Sequence, residues 1–164
     1  MTVAADPASG RPVMAFPLPQ PMRRALDLAA VAAEAGEVPV GAVITLGDEI
    51  IAEARNSMRG NLDPTAHAEM VAIRHAATRL GRPRLDGCTL WVTLEPCSMC
   101  AAAIALSRIE ALRFGAEDSK GGGVVNGPRF FSQPTCHHRP EILSGIGEAE
   151  ASEQLKNFFA ERRL

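Results

Sequence analysis

The heaviest constraint on this chain is a demand for convergence. His67-Ala68-Glu69 offers an imidazole with a carboxylate two residues on, and Pro96-Cys97-Ser98-Met99-Cys100 offers two thiols one helical turn apart. One imidazole and two thiolates form a soft donor set suited to Zn²⁺. Three protein ligands leave the fourth tetrahedral position to water, which separates catalytic from structural zinc. Glu69 then stands beside the metal without binding it, where it can carry protons. A lone C-x-x-C is compatible with a redox pair or with core filling, and a lone H-x-E with chance. Together, in this order, they point to hydrolysis at an open zinc. His75 does not close the shell, because eight residues of helix carry it about 12 Å away from His67.

The chain between and around these stretches reads as alternating strands and helices. Met22–Ala35 is rich in Ala and Leu and ends at Gly36, which suits a helix packed closely on a sheet. Val38–Thr45 and Glu49–Ala54 read as a hairpin about Gly47-Asp48. A second helix is expected to start near Asp63-Pro64-Thr65, with Met70, Ile73, Ala77 and Leu80 at helical spacing and Gly81 as its stop. Cys88–Leu94 carries almost no charge and reads as a central strand. Cys97–Leu106 follows as a small-residue helix, then Ile109–Phe114 as a strand. Glu141–Ser144 is a short last strand. Glu148–Arg162 closes the chain as a helix with Ala151, Leu155, Phe158 and Phe159 on one side. Both motif halves thus fall at helix N-termini, where unpaired N–H groups favour thiolate. The pattern predicts a three-layer α/β/α sandwich around a mixed five-stranded sheet.

At 164 residues, 46% of them hydrophobic, one globular domain is expected. Residues 1–20, with their repeated prolines, read as a flexible arm, and 21–164 as the zinc domain. The first 21 residues lack the apolar core of a secretory signal, and no run approaches the ~18 apolar residues of a membrane span. Those readings place the protein in the cytoplasm, with its four cysteines reduced. A net charge of −2 gives no global attraction for nucleic acid, so any such binding must use a local patch. Arg79, Arg82, Arg84, Lys156, Arg162 and Arg163 are candidates for it. Aromatics at 4% argue against a broad base-stacking platform. Gly121-Gly122-Gly123 lacks the Lys-Ser/Thr of a phosphate loop and reads as a hinge. Cys136, His137 and His138 lack a partner pair at ligand spacing and read as a loop shaping a pocket or interface.

With these residues in hand, the chain resembles the cytidine-deaminase-like superfamily, whose zinc deaminases carry H-x-E and P-C-x-x-C. Within it the chain is most similar to bacterial tRNA-specific adenosine deaminases, which convert the wobble adenosine of tRNA to inosine. The matching stretches are Glu37-Val38-Pro39-Val40-Gly41-Ala42-Val43, Asn56, Asp63 through Glu69, Val92 through Cys100, Ser107-Arg108-Ile109, Phe114-Gly115-Ala116 and Asp118. The resemblance implies one Zn²⁺ per subunit on His67, Cys97 and Cys100, with Glu69 as proton shuttle. It also implies substrate contacts by Asn56, Asp118, Ala68 and Pro96, a tRNA anticodon loop as substrate, and a homodimer. The Gly121–Arg139 segment departs from the pattern of the best-known members. Two other readings stay open: a deaminase of a free base or nucleoside (guanine, cytosine or adenosine type), and a non-catalytic zinc-stabilised RNA-binding protein.

Overall fold

The computed structural model describes residues 17–163, together with the backbone of β1 (Ala4–Ala5) and β2 (Pro12–Val13), which pair antiparallel. Most of the expected 1–20 arm lies outside the described residues. From there the order is α1 (Gln20–Glu34), β3 (Gly41–Leu46), β4 (Glu49–Arg55), α2 (Ala68–Leu80), β5 (Cys88–Leu94), α3 (Ser98–Leu106), β6 (Ala111–Ala116), a 3-10 turn at Phe130–Ser132, β7 (Glu141–Leu143) and α4 (Glu148–Glu161). The main sheet runs β4-β3-β5-β6-β7. Its first two pairings are antiparallel and its last two parallel. This is the expected mixed five-stranded sheet, with β5 at its centre.

Alternation along the strands sends side chains to two separate cores. Ala42 and Ile44 of β3 and Leu90 and Val92 of β5 join Ala72 and Ala76 of α2 and Ala101 and Ile104 of α3. Val43 and Trp91 instead face Met22, Ala25 and Leu26 of α1 and Ala151 of α4. The result is the three-layer sandwich, with α2 and α3 on one face and α1 and α4 on the other. Among the described residues no helix is long and apolar enough to cross a membrane.

Several boundaries differ from the sequence reading for identifiable reasons. Helix α1 starts two residues early, because Pro21 is harmless in a first turn that lacks N–H partners anyway. Strand β3 starts at Gly41 rather than Val38, since Pro39 has no N–H for a ladder. Helix α2 begins at Ala68, well after Asp63. The Asp63 carboxylate accepts from the N–H and hydroxyl of Thr65, at 2.8 and 2.7 Å, and folds the segment into a turn instead of capping a helix. Phe159 is 44% exposed, so it does not join Ala151 and Phe158 in the core.

The α1 layer sits unusually close to the sheet. A Cβ on Gly41 would lie 1.9 Å from the Ala25 carbonyl oxygen, a backbone atom that moves only with the helix. Gly41→Ala is therefore expected to destabilise the fold by about 3 kcal/mol or more. Urea unfolding checks this as a lower midpoint at unchanged slope.

Candidate active site

His67 and Cys97 occupy equivalent positions, each the N-cap of its helix with extended backbone, at φ −67° and −71°. His67 is thus not within the first turn, as the sequence suggested, but one step before it. Because α2 and α3 pack side by side on one sheet face, these two ends meet. Cys100, one turn into α3, joins them. His67 Nδ1 lies 3.6 Å from Cys97 Sγ and 3.6 Å from Cys100 Sγ. Tetrahedral zinc with Zn–N about 2.1 Å and Zn–S about 2.3 Å requires an N···S separation of about 3.6 Å. The donor atoms all fall within 4.8 Å of one another, and no other such cluster occurs among the described residues. The donor set and its spacing fit zinc, with three ligands and an open fourth position. His75 is exposed and lies outside this cluster.

The electrostatics of the cluster suit its chemistry. Hydrogen bonding from the Cys100 thiol, opposed by burial and helped by His67, holds the Cys97 thiol down to about 4. The same bond, with burial, pushes the Cys100 thiol up, so one thiolate is already present before a cation arrives. The His67 ring is raised by its hydrogen bond to Cys97. Burial pushes Glu69 up to about 7, partly countered by its own N–H and by His67. A carboxyl poised near neutrality both accepts and returns a proton readily.

The loops around the cluster are held by two buried acids and an amide. Asn56 accepts at Oδ1 from Ala68 N–H, 2.8 Å, and donates from Nδ2 to Val38 O, 3.2 Å. It thereby caps α2 and ties it to the segment entering β3, leaving one amide hydrogen and one lone pair for other use. Glu37, 4% exposed, accepts from the N–H groups of Arg59 and Gly60 at 2.8 and 2.9 Å. Glu95 accepts from Asp118 N–H, Val124 N–H, Val125 N–H, Asn126 N–H and the Asn126 side chain, at 2.7–3.1 Å. Burial raises its carboxyl, but these donors outweigh burial and hold it below the usual range. Neither acid was singled out from sequence. The signal available was a carboxylate close to a proline at the edge of an apolar strand.

The glycine run is a packed element and not the hinge expected. Gly122 and Gly123 are buried, and their N–H groups bond Asp118 O and Pro96 O at 3.0 and 2.8 Å. A Cβ on Gly123 would lie 2.6 Å from Ser98 N, and one on Gly122 would lie 2.5 Å from the Glu95 carboxyl carbon. Glycine here allows the loop to approach the start of α3. Cys136 donates to His138 O and His138 Nε2 lies 2.7 Å from Ile109 O, so this cluster braces a loop beside Leu106 and Phe130.

A cavity of about 240 Å³ opens at the cluster, lined among others by Asn56, His67, Glu69, Cys97 and Asp118. Ala68 and Pro96 are absent from this lining: the Ala68 N–H is taken by Asn56 and the Pro96 carbonyl by Gly123. Val38, Leu94, Asp118 and Gly121 form a wall shared with a groove of about 610 Å³, which carries Lys120, Phe159 and Arg163. Lys156 lines its continuation along α4. The basic patch is smaller than the sequence suggested. Arg79 pairs with Glu49 at 2.6 Å, Arg82 and Arg84 with Asp86 at 4.0 and 2.9 Å, and Arg162 stacks on Phe158.

Cys100→Ala is expected to weaken zinc binding by more than about 100-fold, whereas Glu69→Gln keeps one zinc per chain. Metal analysis after competition with a chelator separates ligand from bystander.

Residues 18–116 match the model of the cytidine and deoxycytidylate deaminase zinc-binding region. A tRNA-specific adenosine deaminase from Agrobacterium fabrum is 54% identical over 143 residues, covering 87% of this chain and 94% of that protein. A solved structure from a study of A-to-I editing by tRNA:A34 deaminases superposes with a TM-score of 0.82 at 53% identity, covering 82% of this chain and 98% of the other. Guanine deaminase from Bacillus subtilis follows at a TM-score of 0.60 and 35% identity, covering 88% and 92%. A zinc-binding family model over residues 18–116 and the likeness to the Agrobacterium fabrum protein over most of both chains establish that the chain belongs to the zinc-dependent deaminases, in the family of the tRNA-specific adenosine deaminases.

Proposed function

We propose that this chain hydrolytically removes the 6-amino group of the wobble adenosine in a tRNA anticodon loop, leaving inosine and releasing ammonia. The observation that carries the reading is the wall shared between the 240 Å³ cavity and the 610 Å³ groove. A free base has no use for that groove, whereas a flipped nucleotide in a loop brings neighbours that need it. Lys120, Lys156 and Arg163 suit phosphates there, and the half-exposed Phe159 offers a face for a base.

His67, Cys97 and Cys100 would hold Zn²⁺, which when bound would lower the pKa of a water to about 7 and supply a nucleophile at neutral pH. As the oxygen of water bonds to C6, Glu69 carries one of its protons to purine N1; as the C6–N bond breaks, Glu69 carries the second, from the oxygen now on C6, to the departing amine, which leaves as ammonia. Its burial keeps bulk water from competing, and its raised pKa suits both transfers. Asn56 orients the nucleoside with the donor and acceptor left over from its two structural bonds. Asp118 is fixed beside the cavity by its own turn, its Oδ1 accepting from Lys120 and Gly121 N–H, and faces the flanking nucleotides.

A second reading, deamination of a free purine base, is favoured by the 35% identity to guanine deaminase. Ammonia release from a panel of bases and nucleosides, compared with an A34-bearing tRNA, decides between them. A non-catalytic zinc protein calls for a fourth ligand, and among the described residues none joins the three within ligand spacing.

The proposal extends to a homodimer in the cytoplasm. Leu106, 81% exposed beside Phe130 and His137, supports an apolar contact on that side. Light scattering is expected to give twice the 17.4 kDa of one chain. Glu69→Gln is expected to lower kcat for inosine formation by about 10²–10⁴-fold with zinc retained, read by sequencing the treated tRNA. No inosine from the zinc-loaded wild-type protein, alongside an active control enzyme, sinks the tRNA reading.

A further inference from the structure

Glu95 is 2% exposed and lies two residues ahead of Cys97. Among the described residues no Lys, Arg or His forms an ion pair with it. Its charge is met instead by a stretch of chain. Oε1 takes three successive backbone N–H groups, from Val124, Val125 and Asn126 at 3.1, 2.8 and 2.9 Å. Oε2 takes Asp118 N–H at 2.8 Å and the Asn126 amide at 2.7 Å. Successive N–H groups turned towards one oxygen make an anion-binding nest, and here the anion is built into the protein. Gly122 lets the loop wrap this carboxylate, since any Cβ there would collide with it. The loop so held includes Asp118 and Gly121, which form part of the wall between cavity and groove. Glu95 itself supplies no donor to the metal cluster.

We propose that Glu95 is a positioning residue for substrate recognition: an internal anion around which residues 118–126 fold, setting the wall that a polynucleotide must pass to reach the metal. Its contribution then falls on substrate binding and not on the chemical step. Glutamine has the same shape, but it turns one oxygen into an NH₂ group. In either orientation that group meets donors, two on one side or three on the other, and the nest opens.

This inference rests on the polynucleotide reading above. The test uses the zinc-loaded full chain carrying Glu95→Gln, with an anticodon stem-loop RNA as substrate. KM is expected to rise about tenfold while kcat stays within about threefold and zinc content matches wild type. Hydrogen exchange without substrate is expected to show the Val124, Val125 and Asn126 amides losing protection. Asn126→Ala removes one of the five bonds and is expected to shift KM in the same direction by a smaller factor, and it decides the matter alone where Glu95→Gln does not fold. An unchanged KM, a fall in kcat alone, zinc lost in step with activity, or unaltered exchange overturns the proposal. A wild-type protein inactive on the stem-loop instead removes the substrate reading, and the exchange data then decide by themselves whether Glu95 orders the loop.

Discussion

Two helix N-termini have to meet, and most of the structure follows from how that meeting is enforced. Cys97 is delivered by the central strand β5, which is paired on both sides and has little freedom to shift. His67 arrives from an edge hairpin through a polar loop, a less secure route. Asn56 compensates by clasping the first N–H of α2 and the Val38 carbonyl together. The buried alanines at Ala72, Ala76 and Ala101 let α2 and α3 lie close on the sheet. Both helix dipoles then aim their positive ends at one spot, which favours thiolate at Cys97 and anion binding in general.

Much of this arrangement was legible in the residues. The uncharged run Cys88–Leu94 announced a central strand, and Gly36 and Gly81 do adopt the left-handed conformation that ends a helix, at φ 78° and 65°. The donor set and the carboxylate beside it were readable because their spacing has few other uses. What escaped was contact between distant loops. Nothing local to Asp63 says that its side chain will serve Thr65 in preference to a helix cap. Nothing local to Gly121-Gly122-Gly123 distinguishes a mobile segment from one pressed against α3, since glycine serves both ends. The arginines misled for a similar reason: charge is visible in sequence, but its partners Glu49 and Asp86 are visible only in space.

The molecule divides its labour between layers. The chemistry is mounted on helix starts over the α2/α3 face, where burial and hydrogen bonds set the protonation of every group. The loops bordering the cavity depend on the buried acids Glu37 and Glu95, each satisfied by main-chain N–H groups.

The manner in which Glu95 grips its loop has a bearing on how this scaffold diversifies. Four of its five bonds go to peptide N–H groups, which every residue except proline possesses. The side chains of Val124 and Val125 take no part in that bonding and pack into the α2/α3 core instead, while Arg129 Nε closes the loop on Val125 O at 3.1 Å. Changes at Val124 and Val125 that keep apolar volume are the ones that leave the backbone path in place. The same carboxylate fixes the path of the loop through its main chain, and the exposed Ser119 and Lys120 on the groove are the positions where side chains can change without disturbing that grip or the metal ligands.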